Sequence, residues 1–178
     1  MLARECRSAD LVLLGRDLER LRAGIYRSAD PGEVIMAAGR PVLVVPPGAD
    51  KLAAGHILVA WKDTREARRA VWDASPFLRM AEAVHVVAVV DAEELNVATV
   101  GVSDVVRHLE RHGIKARAEV RTQREASPAD ELILVAEQQG ADLIVAGAYG
   151  HARVREWVLG GVTRDLLTHC PKCCLLSH

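Results

Sequence analysis

Short apolar runs alternate with amphipathic stretches along most of the chain, and this pattern predicts an α/β fold. Five runs are candidate strands: Ile57–Trp61, Val84–Val90, Lys115–Val120, Leu143–Ala146 and Cys173–Ser177. Buried strands covered on both faces read as continuous apolar runs, as Ile57–Trp61 does. Lys115–Val120 instead alternates charged and apolar residues, which favours an edge strand. Strands that alternate with helices predict a parallel five-stranded sheet with helices on both faces.

The helices between these strands have recognisable ends. Thr64 is a candidate N-cap, and Ser127 followed by Pro128 is a second favourable helix start. Gly113 follows a helical stretch where a left-handed C-cap belongs.

In open sheets of this kind, ligands bind beyond the carboxyl ends of the strands, where the strand order reverses. The functional site is therefore expected in three segments, Trp61–Thr64, Val89–Asp91 and Gly147–Thr163.

Residues 1–50 stand outside this count of strands and look like a partial repeat. The segment Ala9–Gly15 (ADLVLLG) matches Ala141–Gly147 (ADLIVAG), and a proline-led apolar strand, Pro41–Val45, completes the first copy. Pro46–Asp50 has the composition of a linker. We predict that residues 1–50 are the β-α-β end of a first domain plus a linker, and that residues 51–178 are a complete domain. Chance similarity between two β-α-β units is the alternative.

A β-α-β remnant of this kind would expose an unpaired strand edge and an uncovered face. We therefore expect it to dock on the complete domain, near the fifth strand, or on a neighbouring copy of the chain.

Composition and charge narrow the classes of function. Of the 178 residues, 50% are hydrophobic and 26% charged, as in a globular protein. Lys plus Arg is 23, Asp plus Glu is 24, and aromatics are 3%, so the chain lacks the basic excess and the stacking surfaces of a nucleic-acid binder. No apolar run approaches the ~18 residues of a membrane span. We expect a cytoplasmic protein that binds neither nucleic acid nor a membrane.

Three of the four cysteines, Cys170, Cys173 and Cys174, crowd near the end of the sequence. Zinc would require four nitrogen or sulfur ligands, and a second ligand pair at the usual spacing is absent, so no metal site is predicted. In a strand, Cys173 and Cys174 would point to opposite faces. The alternatives are ordinary core cysteines and a redox pair of thiols.

The most specific feature is the spacing Gly147-x2-Gly150-x9-Gly160, which follows a buried strand directly. The first two glycines allow a tight turn and a close approach of the backbone to a ligand. The third lies near the start of a helix, whose free N–H groups favour an anion. The spacing matches neither the P-loop nor the dinucleotide fingerprint. Phosphate binding and a simple strand-to-helix turn therefore both remain open on spacing alone.

Two segments of the sequence, one of which contains these glycines, resemble the universal stress protein family. Gly147–Leu167 (GAYGHARVREWVLGGVTRDLL) is similar to the family's Gly-x2-Gly-x9-Gly-Ser/Thr segment, and Ile57–Ala67 (ILVAWKDTREA) resembles its first strand and turn. The resemblance implies a flavodoxin-like, Rossmann-like fold with strand order 3-2-1-4-5. It also implies a tandem-type member without the front of its first domain, and a homo-oligomer, with a dimer as the form expected.

The resemblance also assigns residues to a nucleotide site. Lys62 stands where nucleotide-binding members have an aspartate, and it reverses the charge there. Thr64 corresponds to a small hydroxyl residue, and Val89 to a valine that touches adenine. Gly161 replaces the Ser/Thr after the last glycine, so one hydroxyl donor is lost. The implied set is Lys62, Thr64, Val89, Gly147, Gly150, Gly160, Gly161, Val162 and Thr163.

Three functions are compatible with this set. The first is a stress-response module that binds ATP or another adenine nucleotide, with Mg²⁺ only alongside the nucleotide, and signals through oligomerisation. The second is a degenerate member that binds no nucleotide and acts through protein contacts. The third is a weak ATPase, although no general base or metal pair is visible and no catalytic residue is predicted.

Overall fold

The computed structural model describes residues 5–16, 30–123, 126–150 and 161–178. Within these residues the strands are β1 (Val12–Gly15), β2 (Val42–Val45), β3 (His56–Ala60), β4 (Ala83–Val90), β5 (Ala116–Thr122), β6 (Leu143–Gly147) and β7 (Cys173–Ser177). The helices are α1 (Pro31–Ala38), α2 (Arg65–Asp73), α3 (Ser75–Met80), α4 (Leu95–Arg111), α5 (Pro128–Gln138) and α6 (Gly161–His169). Between β1 and β2, the helix of the predicted β-α-β unit is α1, and residues 17–29 lie outside the described part of the chain.

The strands form one sheet in the order β1-β2-β7-β6-β3-β4-β5. The α/β class with a largely parallel sheet is confirmed, whereas a five-stranded sheet of order 3-2-1-4-5 is corrected to seven strands in this longer order. The correction has a physical cause, since the two N-terminal strands extend the sheet instead of forming a separate layer. Counted among themselves, β3 to β7 stand third, second, first, fourth and fifth across the sheet.

The N-terminal strands join the rest of the sheet through the pair β2 and β7, which run antiparallel. All other neighbouring strands are parallel. In β1 and β2, Val12 lies beside Val42; in β6 and β7, Ile144 lies beside Cys174. Adding 132 to the numbers of the first pair gives the second, so the two strand pairs share one register.

Helices cover both faces of the sheet, and strand alternation divides the apolar residues between two cores. One core joins α1, α5 and α6 to strand residues such as Leu58, Ile144 and Cys174. The other joins α2, α3 and α4 to residues such as Val59 and Cys173. Cys173 and Cys174 thus face opposite sides, as their neighbouring positions in a strand predicted. The result is a three-layer arrangement with its core on each side of the sheet.

Local sequence signals explain the helix ends. The Thr64 side chain caps α2 by accepting a hydrogen bond from the Ala67 N–H, and the Ser127 side chain caps α5 through the Asp130 N–H. Gly113 has a left-handed φ of 77° after α4, as a C-terminal turn requires. No helix in the described part of the chain is long and apolar enough to cross a bilayer.

Candidate functional site

A cavity of about 250 Å³ opens at the carboxyl ends of β3, β4 and β6, beside the start of α6. This is the edge where an open parallel sheet of this kind places its ligands. Eight of the nine predicted site residues line the cavity: Lys62, Thr64, Val89, Gly147, Gly150, Gly161, Val162 and Thr163. The ninth, Gly160, lies outside the described residues. The fold thus brings three separate segments of the sequence to one cavity.

Both predicted hydroxyl groups are already engaged with the backbone. The Thr64 oxygen accepts a hydrogen bond from the Ala67 N–H at 3.3 Å, which fixes the start of α2. The Thr163 oxygen accepts one from the Tyr149 N–H at 3.4 Å, which ties α6 to the loop after β6. The Thr163 hydroxyl keeps its proton for donation, because a hydroxyl donates and accepts at once. The Thr64 hydroxyl also hydrogen-bonds the Glu66 carboxylate. The two residues therefore fix the cavity walls, and Thr163 still offers a donor.

Gly147 and Gly150 lie where the backbone of the loop approaches α2 closely. A Cβ atom on Gly147 would lie 2.5 Å from the Ala67 nitrogen and 2.6 Å from the Glu66 carbonyl carbon. A Cβ on Gly150 would lie 3.1 Å from Glu66 Oε2 and 3.2 Å from Thr64 Oγ1. Packing against α2 is thus sufficient reason for glycine at position 147, with or without a ligand.

Tyr149, between these two glycines, joins the cavity to the N-terminal part of the chain. Its backbone is left-handed, with φ of 60°, which is uncommon for a residue with a side chain. Its hydroxyl reaches Gly32 in α1, where an added Cβ would lie 2.5 Å away. Burial raises the pKa of Tyr149 to about 12, and the Asp30 carboxylate adds to this effect. Tyr149 is therefore a neutral phenol wedged against the start of α1.

Charges of both signs surround the cavity. The exposed side chains of Lys62, Asp91 and Glu94 lie on its rim, together with Gln123. Glu66 is buried behind the loop, and burial by itself would raise its pKa. The hydrogen bond from Arg65 opposes this effect and, with local hydrogen bonds, holds the pKa of Glu66 below its ordinary value. The buried wall thus carries a carboxylate that is satisfied by its own neighbours.

Asp91 and Tyr149 fell within expected segments but were not assigned a role. Eight lining residues lie outside the three expected segments: Ala60, Ala67, Val87, Glu94, Gln123, Pro128, Ala146 and the buried Leu132. The signal for Asp91 and Glu94 was available, because both follow the carboxyl end of a predicted strand. The contact of Tyr149 with α1 had no local signal, since its partners are more than a hundred positions away in the sequence.

A larger groove, of about 720 Å³, lies between α2, α3 and α4. None of the eight predicted residues lines it. Two of its arginines are already paired with carboxylates, Arg68 with Asp63 and Arg69 with Asp73. We therefore place the candidate site in the smaller cavity, which lies at the carboxyl ends of the strands, where open parallel sheets bind their ligands.

Comparisons with solved structures agree with this fold. A universal stress protein from Archaeoglobus fulgidus DSM 4304 matches with a TM-score of 0.71 and 15% identity, over 98% of this chain and 64% of its own. The present chain thus spans slightly less than two thirds of that longer protein. Universal stress protein UspA from Lactobacillus plantarum matches with a TM-score of 0.58 and 18% identity, over 72% of this chain and 100% of its own.

A universal stress protein family protein from Arabidopsis thaliana, solved with AMP bound, matches with a TM-score of 0.51 and 12% identity, over 68% of this chain and 90% of its own. The comparison with curated proteins found no match. The family model of the universal stress protein family matches residues 54–178, which is most of the chain and contains the whole cavity. The chain belongs to the universal stress protein family.

Proposed function

We propose that the cavity at the ends of β3, β4 and β6 binds an adenine nucleotide. The observation that carries this proposal is the convergence of Lys62, Thr64, Val89, Gly147 and Gly150 with the start of α6 on one cavity. The plant protein of the same family was solved with AMP bound, which supports the choice of ligand class. Binding of this kind fits a sensor or storage module.

The lining residues suit the parts of a nucleoside phosphate. Val87 and Val89 supply apolar contact for a base, and Asp91 and Glu94 supply acceptors for ribose hydroxyls. Backbone N–H groups at the start of α6 favour phosphate oxygens. The volume of about 250 Å³ is near the lower end of ligand cavities, roughly 300–1,000 Å³. A monophosphate therefore fits this volume better than a triphosphate.

Isothermal titration of the full chain with AMP, and with ATP and Mg²⁺, tests the proposal. We expect binding at the micromolar level. Val89→Phe fills the cavity and should weaken binding by about tenfold or more, a change of about 1.4 kcal/mol. Val100→Phe adds the same bulk at an exposed position of α4 outside the cavity and should leave affinity unchanged. Absence of heat with every nucleotide would reject the proposal.

Two further variants examine the departures from the family pattern. Gly161→Ser restores a hydroxyl at the start of α6, where an added Cβ meets no atom within 4 Å in the part of the chain that the structure describes. One additional hydrogen bond, worth about 1 kcal/mol, should tighten binding about fivefold. Lys62→Asp restores the acidic residue of nucleotide-binding members. If only Lys62→Asp binds nucleotide, the cavity has kept its shape and Lys62 has removed the affinity.

The second candidate function is an interaction module that binds no nucleotide. The specific observation in its favour is Gly147, whose lack of a side chain is required by the backbone of α2 without any ligand. Titration separates the two functions, because an interaction module gives no heat with AMP or ATP in the parent chain or in Gly161→Ser. Weak ATP hydrolysis stays a prediction, for which turnover lost in Gly150→Ala is the appropriate measurement.

Assembly into a homo-oligomer also stays a prediction. Strand β2 pairs with the outer edge of β7, so this edge is not available to a second copy of the chain. A dimer therefore has to use a different surface. Sedimentation velocity of the full chain at several concentrations measures the oligomeric state directly.

A further inference from the structure

The two edges of the seven-stranded sheet differ in their chemistry. Within the described residues, β5 forms one edge and β1 the other, and each pairs with a single neighbour. Strand β5 places Arg117, Glu119 and Arg121 at alternating positions, and Glu119 and Arg121 form an ion pair. Charges of this kind protect an edge against pairing with another chain. Strand β1 (VLLG) contains neither a charged residue nor a proline, so its edge lacks this protection.

The internal repeat shows what the outer side of β1 lacks. With the offset of 132, Leu13 of β1 corresponds to Val145 of β6. Val145 is fully buried in the core formed with α2, α3 and α4, and β3 pairs with its strand on the side away from β7. Leu13 is 68% exposed, and no strand in the described part of the chain pairs with β1 on the side away from β2. Strand β1 thus has the apolar sequence of an inner strand at an edge position.

The backbone of β1 directs every second residue away from β2. The Val12 N–H donates to the Pro41 carbonyl, and the Arg16 N–H donates to the Val45 carbonyl. Residues 12, 14 and 16 therefore face β2, and the N–H and C=O groups of residues 11, 13 and 15 point away from it. Leu13 is the middle one of these three, so its backbone is the centre of the outer edge.

We propose that the outer edge of β1 pairs with β1 of a second copy of the chain, in the antiparallel direction and with Leu13 opposite Leu13. A two-fold interface uses the same surface on both subunits, so a strand that pairs with itself in this way has to run antiparallel. An axis at Leu13 places Leu11 opposite Gly15 and allows about six backbone hydrogen bonds. Asp10 and Arg16 flank the strand with opposite charges, so an acid is set against a base at each end.

The contact is short, and the dimer should therefore be weak. Transient interfaces of this size bury less than about 1,200 Å², and we expect a dissociation constant of about 10–100 µM. The full chain is then mainly monomeric at low micromolar concentration and mainly dimeric at several hundred micromolar. Sedimentation velocity across this range, without nucleotide, measures the change. A monomer at every concentration would overturn the proposal, whether or not the cavity binds a nucleotide.

Matched variants at the two edges identify the strand that pairs. Leu13→Arg sets two like charges against each other at the axis and should raise the dissociation constant about fivefold or more. Because the Leu13 side chain is exposed, this variant should fold like the parent. Ala118→Arg adds the same charge at an exposed position of β5 and should leave association unchanged. A dimer that is lost in Ala118→Arg, or that is unaffected by Leu13→Arg, would contradict the assignment to β1.

An engineered disulfide tests the register. Opposite residues of an antiparallel pair have Cα atoms about 4.5–5.5 Å apart, which a disulfide can span. Leu13→Cys should therefore give a linked dimer under mild oxidation. Gly15→Cys should not, because the equivalent position of the second copy lies four residues further along the strand. The natural cysteines are buried and leave the comparison clear. A link in Gly15→Cys without one in Leu13→Cys would show that the axis does not pass through Leu13.

Discussion

Leu43 of β2 lies directly opposite Leu175 of β7, at the centre of the antiparallel pair that joins the two parts of the sheet. The offset of 132 that relates the two parallel strand pairs also converts 43 into 175. On either side, Val42 meets Leu176 and Val44 meets Cys174, so the pairing is symmetric about the two leucines. A local two-fold axis therefore passes between Leu43 and Leu175. A duplicated β-α-β unit would produce this symmetry, and the domain assignment stays a prediction.

Truncation of Leu43 should show how strongly the two parts are joined. Leu43 is 5% exposed and packs in the core beneath α2 and α4, so Leu43→Ala should lower the free energy of unfolding by about 2–5 kcal/mol. Leu13 is its neighbour on β1 but is 68% exposed, and Leu13→Ala should change stability by about 0.5 kcal/mol or less. Urea unfolding of both variants makes the comparison. Equally small losses of unfolding free energy in the two variants would show that the packing of Leu43 contributes little to stability.

Replacement of Gly147 tests the close contact between the candidate site and α2. The new Cβ of Gly147→Ala would overlap the backbone at Glu66 and Ala67, so we expect a loss of about 1–3 kcal/mol or more. Gly15 is the matching glycine at the end of β1, and a Cβ there meets no atom of the described residues within 4 Å. Gly15→Ala should therefore be neutral. Thermal unfolding of the two variants measures the difference, and a neutral Gly147→Ala would contradict the described packing.

The contact between Tyr149 and Gly32 predicts a non-additive pair of substitutions. Gly32→Ala places a Cβ 2.5 Å from the Tyr149 hydroxyl oxygen and should destabilise the chain. Tyr149→Phe removes a hydroxyl that is buried without a hydrogen-bond partner in the described residues, so it should be close to neutral. The double variant should recover part of the loss, because Asp30 Oδ1 still lies 2.9 Å from the new Cβ. A double-mutant cycle by urea unfolding gives the coupling, and strict additivity would refute the contact.

His85 predicts a loss of stability in mild acid. Burial in β4 lowers its pKa below the ordinary 6.5, Arg117 and His56 act in the same direction, and Glu119 opposes them. The unfolded chain therefore binds a proton that the folded chain does not, so the free energy of unfolding falls as pH drops below about 6.5. His85→Gln should flatten this part of the pH profile. An unchanged slope between the parent and this variant would exclude His85 as the source.

Much of the fold was predictable because its signals are local. Continuous apolar runs indicated β3, β4 and β6, and Thr64 and Ser127 marked the helix starts that the structure shows. The cavity followed from the general position of ligands in such sheets. The antiparallel join of β2 to β7 was different, since it depends on contacts between residues about 130 positions apart and leaves no periodic pattern in the sequence.

The same distinction applies within the site and the cysteine cluster. The spacing of Gly147 and Gly150 indicated a close backbone approach, but sequence alone did not show that α2, rather than a phosphate, is the near neighbour. Strand alternation was enough to predict that Cys173 and Cys174 face opposite sides, and they lie in opposite cores. It gave no indication that Cys170 lies in the same core as Cys174.

The position of β2 between β1 and β7 also determines how the sheet opens. Residues Val42–Val44 of β2 pair with β1 on one side and with β7 on the other. Their backbone amides therefore do not lie at an edge of the sheet, where strands open locally. Hydrogen exchange there should report unfolding of the whole chain, while the amides of β5, at the far edge, should exchange through local opening. This comparison tests whether the N-terminal strand pair unfolds together with the domain that contains the cavity.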